Sequence, residues 1–527
     1  MFYKRESSKL TKESEQIYNT LINPESDLSL IKKEFDFSFI YEEIKNLYCL
    51  DDGRNSIDGV IALKAIFVQK YFGLSERQLE RKAVYDIEIK HFMDINISDK
   101  PFDFSTVWYF KDKLGKEKTK NIFNRILSQI KAKGIIKTCR RQAIDTVPIL
   151  AAAALPSVTC LIYQVIKEVC KISSKELLEE IFKETELNQE KIEHYSKPRA
   201  LFQTEDQDKI KVFQKAAKRA FALLELVRRK EITNGSIKLL ETILQDNIEL
   251  NPDQEYIEKQ TPHAIRTLVD PDACLGHKTQ DKKVFGYKAG ISTTPEGIIT
   301  AYNITAMSKR DDEHLTPILQ MQEQNGTKCE EADADSAFGF IQNFAESEKA
   351  NIILHAPLRN IDPEKLSVYD FKYNKEKNEL TCLNGITIKG KYSGSLTFEF
   401  PLRDCRCCPK SGVCPLAPSK SVTIHKENDV ARRALARQRE DDKLRKENRL
   451  KGIKGYNRLI VENVFAFLEK LGIKKTPAYS LDSTEMHVSF TLTMANMVKS
   501  VRILRKLRQP VDKISDVLGS FLLCCAE

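Results

Sequence analysis

The 527-residue chain is too long for one hydrophobic core, and two to four domains are expected. Hydrophobic residues at 41% and charged residues at 30% fit a soluble globular protein, while 84 Lys plus Arg against 75 Asp plus Glu, a formal charge of +9, permits a polyanionic partner without requiring one. The start lacks the apolar stretch of a signal peptide, and the most apolar segment, Val147 to Cys170, is broken by Pro148, Pro156, Gln164, Lys167 and Glu168, which reads as a cytosolic chain with no membrane span. In that setting the 13 cysteines are read as metal ligands or small apolar residues, not as a disulfide framework.

In chain order, residues 1–34 make a polar N-terminal segment, of which 1–30 reads as loosely ordered. From 35 to 135 the pattern is helical: Ile57 to Phe72 is amphipathic, Gly73-Leu74 breaks it, Ser75 with Gln78 forms a capping box, and a further helix begins at Ser105-Thr106 after Pro101. Short helices joined by a tight Gly-containing turn fit both a DNA-binding helix-turn-helix and a plain bundle. A core region, 136–365, opens with a strand from Arg140 to Ile144 ending at Asp145, and a Leu-, Glu- and Lys-rich helical insertion at about 155–265 reads as scaffold. Strands from Val284 to Thr293 and from Ile298 to Ala306 flank the turn Pro295-Glu296-Gly297, and a strand from Lys328 to Asp333 runs into Asp335. A helix from Phe338 to Lys349 and a strand from Asn351 to His355 follow. Residues 366–425 alternate, carry Asn384-Gly385 and Ser393-Gly394, and read as a β-meander leading into a Cys-rich knot. Residues 426–510 are helical, in a run from about Glu427 to Glu469 and another from about Thr484 to Leu507, and 511–527 is a tail. The fold class is therefore α/β, a mixed sheet with helical and β insertions.

Three acids stand out at separate elements. Asp145 follows the first core strand, Asp335 a later one, and Glu462 lies on a helix whose Val461, Val464, Phe465 and Leu468 form one apolar stripe, with Arg458 a turn before it. Carboxylates from separate elements suit Mg²⁺, which takes oxygen ligands and keeps several waters, and two such ions serve in-line phosphoryl displacement. Each acid also has an ordinary use: Asp145 in a turn, Asp335 or Asp333 as a helix cap, Glu462 as partner of Arg458.

The runs Val269-Asp270-Pro271-Asp272-Ala273-Cys274-Leu275-Gly276-His277-Lys278-Thr279, Phe285-Gly286-Tyr287-Lys288, Ala334-Asp335-Ser336-Ala337-Phe338-Gly339 and Arg458-Leu459-Ile460-Val461-Glu462-Asn463-Val464-Phe465 resemble hallmarks of bacterial insertion-sequence transposases of the DDE type. Asp145-Thr146 resembles the first catalytic position of that family. The stretches Leu47-Tyr48, Gly53-Arg54, Gly73 to Glu80 and Phe104-Ser105-Thr106 are similar to its N-terminal helical domain, so the resemblance covers about residues 35 to 507. It implies an RNase H-like core with Asp145, Asp335 and Glu462 as catalytic Mg²⁺ or Mn²⁺ ligands, double-stranded DNA (element ends and target) as substrate, and a homodimer in the synaptic complex. Arg458, Tyr456 and Lys470 match its DNA-contacting positions, although Tyr456 sits one residue nearer Arg458, and Lys470 one residue later, than the usual spacing. The alternatives are a catalytically inactive, domesticated DNA-binding protein of the same fold and a stand-alone nuclease.

Cys405 and Cys408 have the knuckle spacing of a structural Zn²⁺ site that Cys382 and Cys414 can complete, with Cys407 a surplus thiol; the family carries similarly placed cysteines. The mixed basic run before Glu462, ending in Arg449, Lys451 and Lys454, reads as a solvated helix face that can also contact the DNA backbone. His277 is read as structural, and Asp311-Asp312 with His314 as charge matching at a helix start.

Overall fold

The computed structural model describes residues 3–4, 10–49, 55–259, 261–277, 282–393, 395–416, 421–424, 428–450 and 458–508. Its N-terminal layer consists of α1 (Lys12–Leu21), α2 (Asp27–Glu34), α3 (Ile40–Ile44), α4 (Gly59–Phe72), α5 (Glu76–Tyr85), α6 (Ile87–Phe92) and α7 (Phe104–Ala132). Local chemistry sets the boundaries. Asp58 accepts from the backbone N–H groups of Val60 and Ile61 at the start of α4, and Gly73 ends it in the left-handed conformation at φ 64°. The expected capping box of Ser75 and Gln78 starts α5. α7 kinks at Gly115, whose φ of 63° and ψ of 178° leave the helical region.

The polar N-terminal segment is not loosely ordered from residue 12 onward. Tyr18 of α1 and Leu28, Leu30 and Ile31 of α2 are buried, and the Asp27 carboxylate accepts from Arg502 and Arg505 at 2.7 and 2.9 Å. An apolar face at helical spacing, Leu28, Ile31 and Phe35, outweighs the polar composition around it.

The sheet is built on β1 (Arg141–Leu150), followed after the insertion by β4 (Cys274–His277), β5 (Lys283–Thr293), β6 (Ile299–Ala306), β7 (Glu331–Asp333) and β8 (Ile353–His355). β1 pairs antiparallel with β5 and parallel with β7, β7 pairs parallel with β8, and β6 and β4 share the outer edge of β5. Apart from β4, the five strands taken in chain order thus lie in the order third, second, first, fourth, fifth. Helices α13 (Leu315–Gln324) and α14 (Ile341–Lys349) connect β6 to β7 and β7 to β8. β1 runs five residues beyond the expected end at Asp145. Its register with β7 stops at Ala143, and beyond it that side of β1 is an edge, where Pro148 is tolerated.

The insertion between β1 and β4 holds α8 (Val158–Lys171), α9 (Lys175–Thr185), α10 (Gln189–Tyr195), α11 (Asp206–Arg229) and α12 (Gly235–Asn247), with the two-stranded β2 (Ile248–Leu250) and β3 (Tyr256–Glu258). It has its own apolar core, including Leu161, Ile166, Ala220, Leu223 and Leu240. After β8 come two small antiparallel sheets, β9 (Lys372–Asn374) with β10 (Glu379–Thr381) and β11 (Thr387–Lys389), and β12 (Lys391–Ser393) with β13 (Ser395–Glu399) and β14 (Ser421–Ile424), around Phe371, Leu380, Phe398 and Phe400. A short helix, α15 (Leu402–Arg406), lies between β13 and β14.

Within the expected helical run lie α16 (Asn428–Leu450) and α17 (Arg458–Lys470), with 451–457 outside the described residues, and α18 (Leu481–Arg508) is the last described element. Every residue of α18 from Val488 to Val498 is buried, because the helix lies among α2, α4, α7, β6 and α17. Asn496 ties it to the sheet by accepting from Ile299 N and donating to Ile299 O, both at 2.8 Å. The N-terminal helices and the sheet consequently share one continuous core from Leu28 to Val501, with Phe123 of α7 edge-on to Tyr302 of β6 at 5.1 Å.

Between this sheet and α13, His314 is fully buried against Gly290, where a Cβ would stand 2.7 Å from the ring, and it bonds Asn303 and Thr305 at 3.1 Å each. Burial, with Lys288 close by, pushes His314 down from 6.5 to about 4. Between those two values the unfolded chain binds a proton that the folded chain refuses, so stability falls as acid increases through this window and stops falling below it. Urea unfolding across the window is expected to show a loss of about 3 kcal/mol from this group, absent in His314→Gln.

Candidate active site

β1 and β7 position the first two acids. Ala143 lies opposite Asp333 in the parallel register, and Ala334 N donates to His355 O at 3.0 Å, so the chain stays extended past β7 to Asp335, whose φ is −82° and ψ −179°. Two residues beyond that pair, Asp145 and Asp335 fall on the same face as Ala143 and Asp333, past the last paired position of the two strands. Each carboxylate is fixed by a local backbone N–H: Asp145 Oδ1 accepts from Thr146 N at 2.7 Å, and Asp335 Oδ1 from Ala337 N at 2.8 Å. Asp335 therefore serves as the cap of the 3-10 turn Ser336–Phe338.

Asp333 has a different job. Arg141 donates to it through Nε at 2.8 Å and Nη2 at 2.7 Å, and this pair locks β1 to β7 one step before the two acids. Further back on the same face His355 donates or accepts through Nδ1 to Asp441 of α16 at 2.8 Å and lies 3.4 Å from Glu331. Burial raises the Asp441 carboxyl, but His355, Arg445 and Arg141 outweigh it and hold the group below its usual range.

Glu462 lies on the exposed side of α17, whose Val461, Val464 and Leu468 are buried and which packs on β1 and α18. Beyond α17 the chain returns to β1, where Leu150 N donates to Lys474 O at 2.8 Å and Thr476 N to Leu150 O at 3.0 Å. Among the described residues no group of three or more His, Cys, Asp or Glu side chains is placed to hold a metal ion, neither the three acids nor the cysteines of the β-insertion. Lys470 is exposed in the last turn of α17; Tyr456, Lys451, Lys454 and Lys278 lie outside the described residues, as do the side chains of Arg449 and Arg458.

Much of the basic run on α16 is occupied within the protein. Arg433 and Arg437 hold Glu348 of α14, Arg439 holds Asp370, and Lys446 holds Glu364. The run from Val269 to Ala273 also turns out to be architectural: buried Asp270 accepts from the Tyr287 hydroxyl and from Ser480 N at 3.1 Å, and Asp272 accepts from Leu481 N at 2.9 Å, together capping α18. Burial, then Asp270 itself, pushes the Tyr287 hydroxyl up. Lys288 pairs with Asp311 and donates to Lys309 O at 2.8 Å, which gives Asp311 a tertiary partner beyond the expected dipole matching.

Cys382, Cys405, Cys408 and Cys414 all line one small cavity of about 30 Å³, room for one or two water-sized bodies, whereas exposed Cys407 does not border it. Cys405 O accepts from Cys408 N at 3.3 Å and Cys382 O from Gly385 N at 3.0 Å, so two tight turns present their thiols to the same space.

Beside Asp335 a cleft of about 1110 Å³ opens, and in it the guanidinium groups of Arg310 and Arg359 lie 4.6 and 4.8 Å from the Phe340 ring. No local pattern marks these residues, because Arg359 reaches the loop only through the bond of its N–H to Gly339 O at 2.9 Å.

Residues 16–113 match the family model described as Transposase domain (DUF772). These residues are similar to a transposase domain. The match begins in α1 and ends in α7 just before the kink at Gly115, and it supports the expectation of a transposase. No curated protein matches the chain, and no solved structure does. Among the described residues no helix is long and apolar enough to cross a membrane.

Behind this transposase domain, the loop carrying Asp335 is held without slack: a Cβ on Gly339 would stand 1.8 Å from Pro357 O. Gly339→Ala is expected to cost about 3 kcal/mol in urea unfolding. Gly385→Ala, with φ 86° but open space around it, is expected to cost only about 1 kcal/mol.

Proposed function

We propose that the chain is a DDE-type DNA transposase with an RNase H-like core, cutting at the ends of its element and joining them to target DNA by in-line phosphoryl transfer. The observation that supports this reading is the parallel register of β1 with β7, which ends two residues before Asp145 and Asp335 and leaves both on one face of neighbouring strands. The strand order and the transposase-domain match support it.

Glu462 is the third member. Lys470 lies eight residues beyond it, about 12 Å along a helix, while Leu150 lies five residues beyond Asp145, about 17 Å along a strand. Since residues 474–476 return to Leu150 and α17 packs on β1, the helix carries Glu462 back along the strand toward Asp145, and we infer that it completes the ligand set.

The donor set fits Mg²⁺ or Mn²⁺, being hard carboxylate oxygens with no sulfur or imidazole among them. Two such ions held by Asp145, Asp335 and Glu462 would supply activation of water or a DNA 3′-hydroxyl and charge stabilisation at the leaving oxygen. The protein's own part is to hold each acid at a fixed rotamer through Thr146 N and Ala337 N and to deliver the phosphate in line. Arg458, Tyr456, Lys470, Arg449, Lys451 and Lys454 are assigned to the DNA backbone, and two copies of the chain to the two element ends. Cys382, Cys405, Cys408 and Cys414 border one small cavity without three of them standing close enough to hold an ion, and we propose that they draw together on a structural Zn²⁺ that staples the β-insertion.

Purified chain with duplexes bearing its own element ends is expected to nick and join them in Mg²⁺ or Mn²⁺. Asp145→Asn should slow both steps about a hundredfold or more, the equivalent of several kcal/mol. Unaltered nicking in Asp145→Asn would sink the reading, and cutting without joining would reassign the chain as a nuclease.

Elemental analysis of the purified chain is expected to return one zinc per molecule, lost in Cys405→Ser. A chelator should lower the melting temperature of the parent and leave Cys405→Ser unmoved. A zinc-free parent that melts at the same temperature with and without added zinc would remove the metal from the account.

A further inference from the structure

The first turns of α5 and α7 meet at a recess of about 370 Å³ lined by Arg77, Phe104, Trp108 and Tyr109. Trp108 and Tyr109 are 51% and 58% exposed, adjacent on α7, with ring centroids 5.0 Å apart at 76°. Arg77 lies over the Phe104 ring at 4.7 Å. A neighbouring pair of large aromatic rings left half in water loses apolar burial that most surfaces would recover, which marks a binding face.

The chemistry at the rim selects the occupant. Helices α5 and α7 both present their N-terminal ends here, adding positive partial charge to the Arg77 guanidinium. The nearby carboxylates are already engaged, Glu76 with Lys111 at 2.8 Å and Asp103 with Ser105 N at 3.0 Å and Ser105 Oγ at 2.7 Å. An aromatic, cation-rimmed recess suits a planar base attached to a phosphate. A duplex, with its bases stacked inside, cannot enter a space of this size, whereas one unstacked base can.

We propose that this recess stacks an unpaired base of a DNA strand, with Arg77 on the adjoining phosphate. The proposal rests on the reading of the chain as a DNA-acting transposase only as far as DNA binding, not on the carboxylates. It adds a single-strand contact inside the transposase domain, whose matched residues 16–113 include all four lining residues.

Trp108 is the only tryptophan of the 527 residues, so intrinsic emission reports this recess directly. The full chain, in EDTA so that no cleavage occurs, is titrated with a single-stranded oligonucleotide and with the blunt duplex of the same sequence. Saturable quenching by the single strand, weaker with the duplex, is expected. By fluorescence anisotropy of a labelled single strand, Trp108→Ala should bind about tenfold more weakly and Trp108→Phe within about threefold of the parent. Circular dichroism of Trp108→Ala should match the parent, since the side chain is half exposed. Saturated binding with unchanged emission, or Trp108→Ala binding as the parent does, overturns the proposal. So does quenching that follows protein concentration alone, which would mean a second copy, or quenching by an apolar peptide and not by the oligonucleotide. Loss of nicking in Mg²⁺ with quenching intact would instead remove the catalytic reading and leave this one standing.

Discussion

The parallel pairing of β1 with β7 is the constraint on which the candidate site depends, and it is held from both faces. On the charged face the two-pronged bond between Arg141 and Asp333 joins the strands just before Asp145 and Asp335. A fork of this kind fixes relative position along the strands as well as distance, since a slip of one residue would separate donor from acceptor and turn Asp335 to the other face. On the opposite face Gln142 is buried in a polar network, donating to Thr327 O at 2.6 Å and accepting from Ser292 at 3.0 Å and Gln322 at 3.0 Å. These bonds tie β1 to β5, to α13 and to the segment leading into β7. Burying that many polar groups is stable only with all of them paired, so the network tolerates one register.

The second determinant is α18, which turns the N-terminal helices and the sheet into one body. Its middle is buried all round, and its first turn is capped by Asp270 and Asp272 from the segment before β4. Near its last turn Arg502 and Arg505 reach Asp27 of α2. Any force on the transposase domain at α2, α4 or α7 is therefore passed through α18 to β6 at Asn496 and to α17, which carries Glu462. The N-terminal helices are thereby mechanically connected to the helix that carries Glu462.

What could be read from the sequence divides along the range of the interactions. Gly73, the Ser75 and Gln78 box and the turn at Gly297 act over four residues or fewer, and their positions follow from local chemistry. β1 was underestimated because Pro148 reads as a terminator unless one knows that the strand is open on one side there. The ordered α2 was hidden for a related reason: its polar residues are spent on partners hundreds of positions away. That Asp145 and Asp335 fall on the same face of neighbouring strands has no local signature, and only resemblance singled out the two before the register did. The same resemblance drew attention to the run at 269–273 without disclosing that its two aspartates are caps, since the groups they cap are some two hundred residues downstream.

The β-insertion illustrates how a segment between two acids can be long without loosening the site. Residues 366–424 have their own small core, but α16 that follows them is clamped back onto the sheet layer by Arg433 and Arg437 on Glu348 and by His355 on Asp441. His355 is the last residue of β8, in register with Asp333, so the clamp ends one strand away from the bond that aligns Asp145 with Asp335. The guanidinium groups of this clamp are partly exposed, and each exposed pair is worth little alone; their value lies in sharing acceptors, two arginines on one glutamate. Much of the charge that α16 presents in sequence as a nucleic-acid-binding face is thus consumed in holding the insertion to the catalytic layer.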